Sequence, residues 1–269
     1  MDNDKKINLS IKNMITCLKK EKSNHYLVQE IINNSDQISK KSVWIIGGDG
    51  WAYDINFDGL DQLLSSNENI NILILDNEGY ANTGGQTSQA TPIGAVTKFS
   101  LNGKKENKKD LISFALNHHN VFVAQVAIGA NYQQFIDTII EAEAYNGVSL
   151  IIAYTPCIIH GIKMINSQEE QKKAVACGYW QLFKYNPSLK QKIIYQSPPF
   201  NHKYQQFLMG ENRYRQLFKK DSKVAKEIFA KLKNTIQKRW RNKYFGNTDK
   251  TINEKNEHSP KLKGEVCNY

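Results

Sequence analysis

Two stretches decide the fold: VWIIGGDGWAYDI (Val43–Ile55) and NILILDNEGYANTGGQ (Asn71–Gln86). In each, a β-branched apolar run (Val43–Ile46, Ile70–Leu75) ends in a small polar turn, Gly48-Asp49-Gly50 in the first and Asp76-Asn77 in the second. Asp49 and Asn77 stand 28 positions apart, which leaves room for a helix over Asp58–Leu64 and a return strand. If the two strands are parallel neighbours, both residues emerge at one carboxyl edge, where open α/β sheets bind ligands. A hard cation at such an edge takes oxygen ligands, with substrate phosphates completing its octahedron. Asp49 and Asn77 therefore read as half of a Mg2+–diphosphate site.

The flanking sequence extends this pattern. Further strands are expected at Val121–Ala127 and Ser149–Tyr154, with helices near Asp110–Leu116, Tyr132–Tyr145 and Gln168–Cys177, the last stopped by Gly178. Strands alternating with helices imply an α/β fold, a parallel sheet with helices on both faces. Between the second and third strands, Asn77 to about Lys109 forms a long loop rich in glycine. Loops of that length within a compact domain are functional or disordered. Four segments are expected: helical residues 1–41, an α/β domain over 42–186, a helical basic extension over 187–245 with a helix from about Lys223 to Trp240, and a disordered tail over 246–269.

At 269 residues and 40% hydrophobic content the chain can bury a large core. No apolar run approaches the length that spans a bilayer, and MDNDKKINLS lacks the apolar core of a secretory signal. Cys17, Cys157, Cys177 and Cys267 form no C-x-x-C pair, so a disulfide framework is not expected and a reducing, cytoplasmic setting is. The net charge of +10 is concentrated in one place. Lys184–Lys243 holds 16 Lys/Arg against three Asp/Glu, so the rest of the chain is slightly acidic. No nucleic-acid motif accompanies this charge, and it reads as a solvated lysine-rich surface.

At the candidate site, Asp49 is a carboxylate that is costly to bury unpaired, a cost a divalent cation relieves. Gly48 and Gly50 let the backbone bend and approach a phosphate. Asn77 offers an amide oxygen, Gly79 a carbonyl, and Asn82-Thr83-Gly84-Gly85-Gln86 an open polar segment. Cys157, in Y-T-P-C after a strand, reads by itself as a buried inert thiol. His118, His119 and His160 lack metal-ligand spacing, and Glu141 and Glu143, two apart on a helix, do not share a face.

These residues carry a resemblance. G-D-G followed by Asn at this spacing resembles the thiamine diphosphate signature. The series GGDGWAYDI (Gly47–Ile55), NTGGQ (Asn82–Gln86), ATPxGAVxKF (Ala90–Phe99), EAEAY (Glu141–Tyr145) and SLIIAYxPC (Ser149–Cys157) resembles the C-terminal domain of the pyruvate:ferredoxin oxidoreductase family. The match runs from about Lys41 to Asn186 and continues loosely through FLMGENRY (Phe207–Tyr214). It implies that Asp49, Asn77 and the Gly79 carbonyl hold Mg2+. Gly48, Gly50, Trp51, Asn82 and Thr83 would then line thiamine diphosphate, and Cys157 would be one of four ligands of a [4Fe–4S] cluster. Asn77 stands where the family commonly has Thr, Gly79 where it has a bulkier apolar residue, and Gln89 where it has Lys.

The implied reaction is CoA-dependent oxidative decarboxylation of pyruvate, with electrons passing through iron–sulfur clusters to ferredoxin or flavodoxin. The pyrimidine-domain Glu that activates the cofactor, the ferredoxin-like domain and the other three cluster ligands match nothing in this sequence. A homodimer of the complete enzyme, in the cytoplasm or in a hydrogenosome, is the expected setting, with neither membrane nor nucleic acid as partner. Two alternatives stay open: the β-subunit of a split 2-oxoacid:ferredoxin oxidoreductase, and a non-catalytic remnant kept for binding or assembly.

Overall fold

The computed structural model describes residues 2–21, 23, 25–38, 41–199, 201 and 203–242; the expected tail over 246–269 lies outside them, with Cys267. Helices α1 (Asp2–Lys20) and α2 (Tyr26–Asn33) precede the sheet and pack on each other. β1 (Trp44–Gly48) leads through a single π-helical turn, Trp51–Ile55, into α3 (Phe57–Ser65) and β2 (Asn71–Asp76). After the long loop come α4 (Leu111–Leu116), β3 (Phe122–Val126), α5 (Tyr132–Ala144) and β4 (Ser149–Tyr154). The chain continues through α6 (Ser167–Ala176), β5 (Phe183–Tyr185), β6 (Ile193–Tyr195), α7 (Tyr204–Gly210), α8 (Asn212–Lys220) and α9 (Ser222–Asn242).

The sheet order is β1-β2-β4-β3-β5-β6. The first four strands are parallel, as their apolar runs and intervening helices require, but β5 and β6 are antiparallel additions. The parallel sheet expected from the sequence is thus extended at one edge by an antiparallel pair. Each added strand has only three residues, too few for alternation to register. Together they make a hairpin, closed where Asn186 N–H donates to the Lys192 carbonyl (2.7 Å).

β3 and β4 are buried along their whole length, as strands covered on both faces must be. On one face Ile72, Ile74, Val123, Leu150 and Ile152 share a core with Leu60 and Leu64 of α3 and Leu111 and Ala115 of α4. On the other, Phe122, Ala124, Ile151 and Ala153 pack against Phe135 and Ile139 of α5. That cover thins along β1, where Trp44 packs at its edge but Ile46 is 62% exposed. A boundary after Asn186 would fall between the paired strands β5 and β6. Beyond it, Leu208, Tyr214, Leu217 and Phe229 of α7–α9 enter the first core. Near-native packing there makes volume loss expensive: Ile152→Ala should cost about 2–5 kcal/mol, whereas Ile46→Ala should change stability by less than about 0.5 kcal/mol, both read from urea midpoints at constant m-value.

Candidate functional site

The parallel register sets Gly48 opposite Leu75, so the next residues, Asp49 and Asp76, leave the sheet side by side. Asp49 is 1% exposed, and its Oδ2 accepts from the Gly79 N–H (2.8 Å) and the Ser88 hydroxyl (3.3 Å). The end of the Asn77 side chain lies 2.6 Å from Asp49 Oδ1 and 2.7 Å from the Gly79 carbonyl oxygen. With the amide nitrogen turned there, Asn77 donates to both. With the amide oxygen there, three oxygens face one another, an arrangement that a cation between them would stabilise. Adjacent ligands in an octahedron with Mg–O bonds of 2.0–2.1 Å stand about 2.9 Å apart. The three groups singled out in the sequence therefore converge, with a donor set and spacing that fit a hard cation.

The glycines divide the work differently from expectation. A Cβ on Gly50 would lie 2.5 Å from the Tyr80 ring, and one on Gly47 would lie 2.6 Å from the ring of Trp51. Those two are sterically required. A Cβ on Gly48 would meet nothing, so Gly48 fronts open space and its bareness answers no internal contact. Asn82 and Thr83 are exposed on a tight turn that folds back on Tyr80 through Gly85 N–H to the Tyr80 carbonyl (2.8 Å). Thr83 Oγ1 donates to Gln86 Oε1 (2.6 Å). Cys157 is half-buried three residues past β4, the neighbour of β2, and so stands at the same edge as Asn77. Among the described residues no other cysteine joins it. Cys17 is exposed on α1 and Cys177 is buried at the end of α6, where burial pushes its thiol up to about 12. Among the described residues no three His, Cys, Asp or Glu side chains form a metal cluster.

Around the ligand loop lies a buried charge network that the sequence did not disclose. Asp76 accepts from Tyr53 OH (2.9 Å) and from Lys108 Nζ (2.7 Å), which also reaches Glu78 (3.2 Å). Glu78 Oε2 accepts from Arg213 (2.6 Å) and Tyr179 OH (2.6 Å). Arg213 Nε donates to Glu211 (2.7 Å), and His160 Nε2–H donates to the Asn77 carbonyl (2.7 Å) with its Nδ1 3.4 Å from a Glu211 carboxylate oxygen. Burial alone would raise the Glu78 carboxyl, yet Lys108 and Arg213 hold it down to about 2. His160, read in sequence as structural, thus touches the ligand loop directly. The signals that pointed here were indirect: FLMGENRY in the C-terminal segment, and the acidic residue between two candidate ligands.

The long loop is neither free nor disordered. Lys104, 3% exposed, donates Nζ to the carbonyls of Ser88 (2.9 Å) and Thr91 (2.8 Å). It thereby fixes the turn whose Ser88 hydroxyl reaches Asp49 and whose Thr91 hydroxyl donates to the Glu78 carbonyl (2.9 Å).

Among the described residues no cationic side chain touches Asp49, and the Lys108 charge lowers its carboxyl only from a distance. Burial first, and the Asp76 carboxylate second, push its carboxyl from 3.8 up to about 7. A carboxyl raised in the folded state favours folding fully below its unfolded value and loses that contribution as pH rises through the folded one. Without metal, the chain should therefore lose stability between about pH 4 and pH 7. Asp49→Asn should flatten that slope and stabilise the metal-free chain at pH 8. Mg2+ should raise the melting temperature of the parent at pH 8 more than at pH 5.5, and leave that of Asp49→Asn unchanged. Melting curves at several pH values, with and without Mg2+, check both.

Residues 34–153 match the family described as thiamine pyrophosphate enzyme, C-terminal TPP binding domain. The chain is 51% identical over 211 residues to a pyruvate:ferredoxin oxidoreductase of Moorella thermoacetica, covering 76% of this chain and 18% of that protein. It is 44% identical over 219 residues to a pyruvate-flavodoxin oxidoreductase of a Nostoc species, covering 79% and 18%. To a pyruvate dehydrogenase [NADP(+)] of Cryptosporidium parvum it is 40% identical over 268 residues, covering 94% and 14%. The chain spans less than a fifth of the length of these relatives. With a strand-edge oxygen cluster in the matched segment, the chain carries a C-terminal TPP-binding domain of the thiamine pyrophosphate enzymes and is similar over three quarters of its length to pyruvate:ferredoxin and pyruvate-flavodoxin oxidoreductases.

Proposed function

We propose that this chain is the thiamine diphosphate- and Mg2+-binding portion of a pyruvate:ferredoxin oxidoreductase. The observation that carries the reading is that the end of the Asn77 side chain lies 2.6 Å from Asp49 Oδ1 and 2.7 Å from the Gly79 carbonyl oxygen, with Asp49 Oδ2 accepting from the Gly79 N–H. In this role Asp49 supplies the anionic ligand, while Asn77 and Gly79 supply neutral oxygens that leave positions for diphosphate. Gly48, with open space over it, lets the diphosphate approach the backbone, and Asn82 and Thr83 border the cofactor. Thiamine diphosphate supplies the carbanion and electron-sink chemistry for decarboxylating a 2-oxoacid. The protein's share is to bind, orient and desolvate it.

Completion by further domains or subunits is part of the proposal. Loops after β1, β2 and β4 rim the carboxyl edge with exposed apolar side chains: Ile55 (76%), Phe99 (89%), Ile158 (66%) and Ile165 (90%). A rim of that kind marks an interaction surface. The partner regions would supply the carboxylate that activates the aminopyrimidine, the CoA site, the clusters leading to ferredoxin or flavodoxin, and three thiolates to join Cys157 around a [4Fe–4S] cluster. Among the described residues no helix is long and apolar enough to cross a membrane.

Alone, the chain should bind Mg2+–thiamine diphosphate weakly, purify colourless and leave pyruvate unchanged. Co-expressed with a pyruvate:ferredoxin oxidoreductase lacking its C-terminal fifth, it should restore pyruvate- and CoA-dependent reduction of ferredoxin. Asp49→Ala should then cut that activity by at least about 100-fold, and Cys157→Ser should lower cluster absorbance while Cys17→Ser and Cys177→Ser do not. Equal cofactor affinity in Asp49→Ala and the parent by calorimetry would remove Asp49 from the site. Failure to complement would favour the non-catalytic alternative.

A further inference from the structure

We infer that the Glu211-Asn212-Arg213 turn is a positioning element of the metal site, holding the Asn77–Gly79 backbone in the shape that aims its oxygens at the cation. The consequence for metal rests on the function proposed above; the mechanical part rests on geometry alone. Glu78, between the two neutral ligands, has φ 61°, a left-handed conformation that bulky residues rarely adopt. Such a residue persists only where its surroundings over-determine it. Were residue 78 to relax, the Gly79 carbonyl and N–H would swing away from Asn77 and Asp49.

The C-terminal turn grips this loop from three directions. Arg213 donates to Glu78 Oε2, and Glu211 fixes the guanidinium from behind. Glu211 also backs His160, whose Nε2–H donates to the carbonyl of Asn77 itself. The Arg213 carbonyl accepts from Val96 N–H (3.1 Å), which ties the turn to the far limb of the long loop. Asn212 sits so close to the 158–161 turn that a Cβ on Gly161 would lie 2.2 Å from its own Cβ, with Gly161 at φ 75°. The grip is anchored, because Tyr214 and Leu217 of the helix it starts are buried in the main core. Lys108 and Tyr179 complete the Glu78 carboxylate, but neither reaches Asn77 through a second group. Among the described residues, the 211–213 turn is alone in reaching Glu78 directly and Asn77 through His160.

Outer partners that orient a metal ligand typically change affinity by about 10- to 100-fold when removed. The test uses the full chain carrying Arg213→Gln, Arg213→Lys or Glu211→Gln, with Lys184→Met as control. Lys184 is also a buried cation, paired with Glu141 on the far side of the sheet. Two quantities are read: the affinity for Mn2+ in the presence of thiamine diphosphate, by electron paramagnetic resonance, and amide exchange of Glu78 and Gly79, by NMR. In Arg213→Gln, Mn2+ affinity should fall about 10- to 100-fold and exchange at these two amides should rise by at least that factor, while β3 and β4 amides keep parental rates. Arg213→Lys, which keeps the charge but not the fork, should fall between. Lys184→Met should lose stability without changing either quantity. Parental exchange at Glu78 and Gly79 in folded Arg213→Gln would overturn the proposal, and Glu211→Gln takes its place if that variant does not fold. A parent that binds no Mn2+ would count against the proposed function, and the exchange rates would still decide the brace.

Discussion

Four carboxylates, Asp49, Asp76, Glu78 and Glu211, are buried at one edge of an apolar sheet, each no more than 2% exposed. Everything at that edge follows from the need to neutralise them. Two permanent cations reach them, Lys108 from the end of the long loop and Arg213 from the C-terminal helices. Hydroxyls of Tyr53, Tyr179 and Tyr154 donate to Asp76, Glu78 and Glu211. Among the described residues no cationic side chain touches Asp49, only N–H and O–H donors and the far end of Asn77. A buried ion pair contributes little net stability against an apolar substitute, but removing one partner costs about 3–5 kcal/mol. The network is therefore strict about geometry rather than strong, and the vacancy in its charge balance coincides with the oxygen cluster.

That strictness explains how distant segments become one unit. Glu78 and Arg213 are 135 positions apart, yet their contact is 2.6 Å and wholly buried. Helices α7–α9 could have been a detachable extension, as their composition suggests. Instead they bring the counter-charge for a residue set between two candidate ligands. The basic character of the segment is two things at once: Arg213 and Lys184 are buried and paired, whereas Lys223, Lys226 and Lys231 stay solvated on α9.

What was legible in the sequence was whatever a local window encodes. The four parallel strands follow from β-branched runs, and the convergence of Asp49 with Asn77 follows from two strand ends on neighbouring parallel strands. The hairpin β5–β6 was not legible, because three-residue strands carry no period and their pairing is set by contact with β3. The charge network was hidden for another reason. Asp76, Glu78, Lys108 and Arg213 look like surface residues in composition, and only the fold shows that each is enclosed. His160 shows the limit most sharply: it lacks ligand spacing, as read, yet its ring reaches the carbonyl of a candidate ligand residue.

Strand order also bears on how cofactor and cluster would be arranged in the proposed enzyme. β4 lies against β2, and Thr155 N–H donates to the Asp76 carbonyl (2.9 Å), so the chain leaving β4 runs beside the ligand loop before it reaches Cys157. From there a short turn leads to His160, which closes back on Asn77. The residue assigned to the electron exit and the residue assigned to the metal are thus joined by one rigid segment, with Gly161 pressed against Asn212 at its end. Coupling through a packed, hydrogen-bonded segment needs no flexible relay, and it gives a physical reason for this edge to carry both functions rather than dividing them between opposite ends of the sheet.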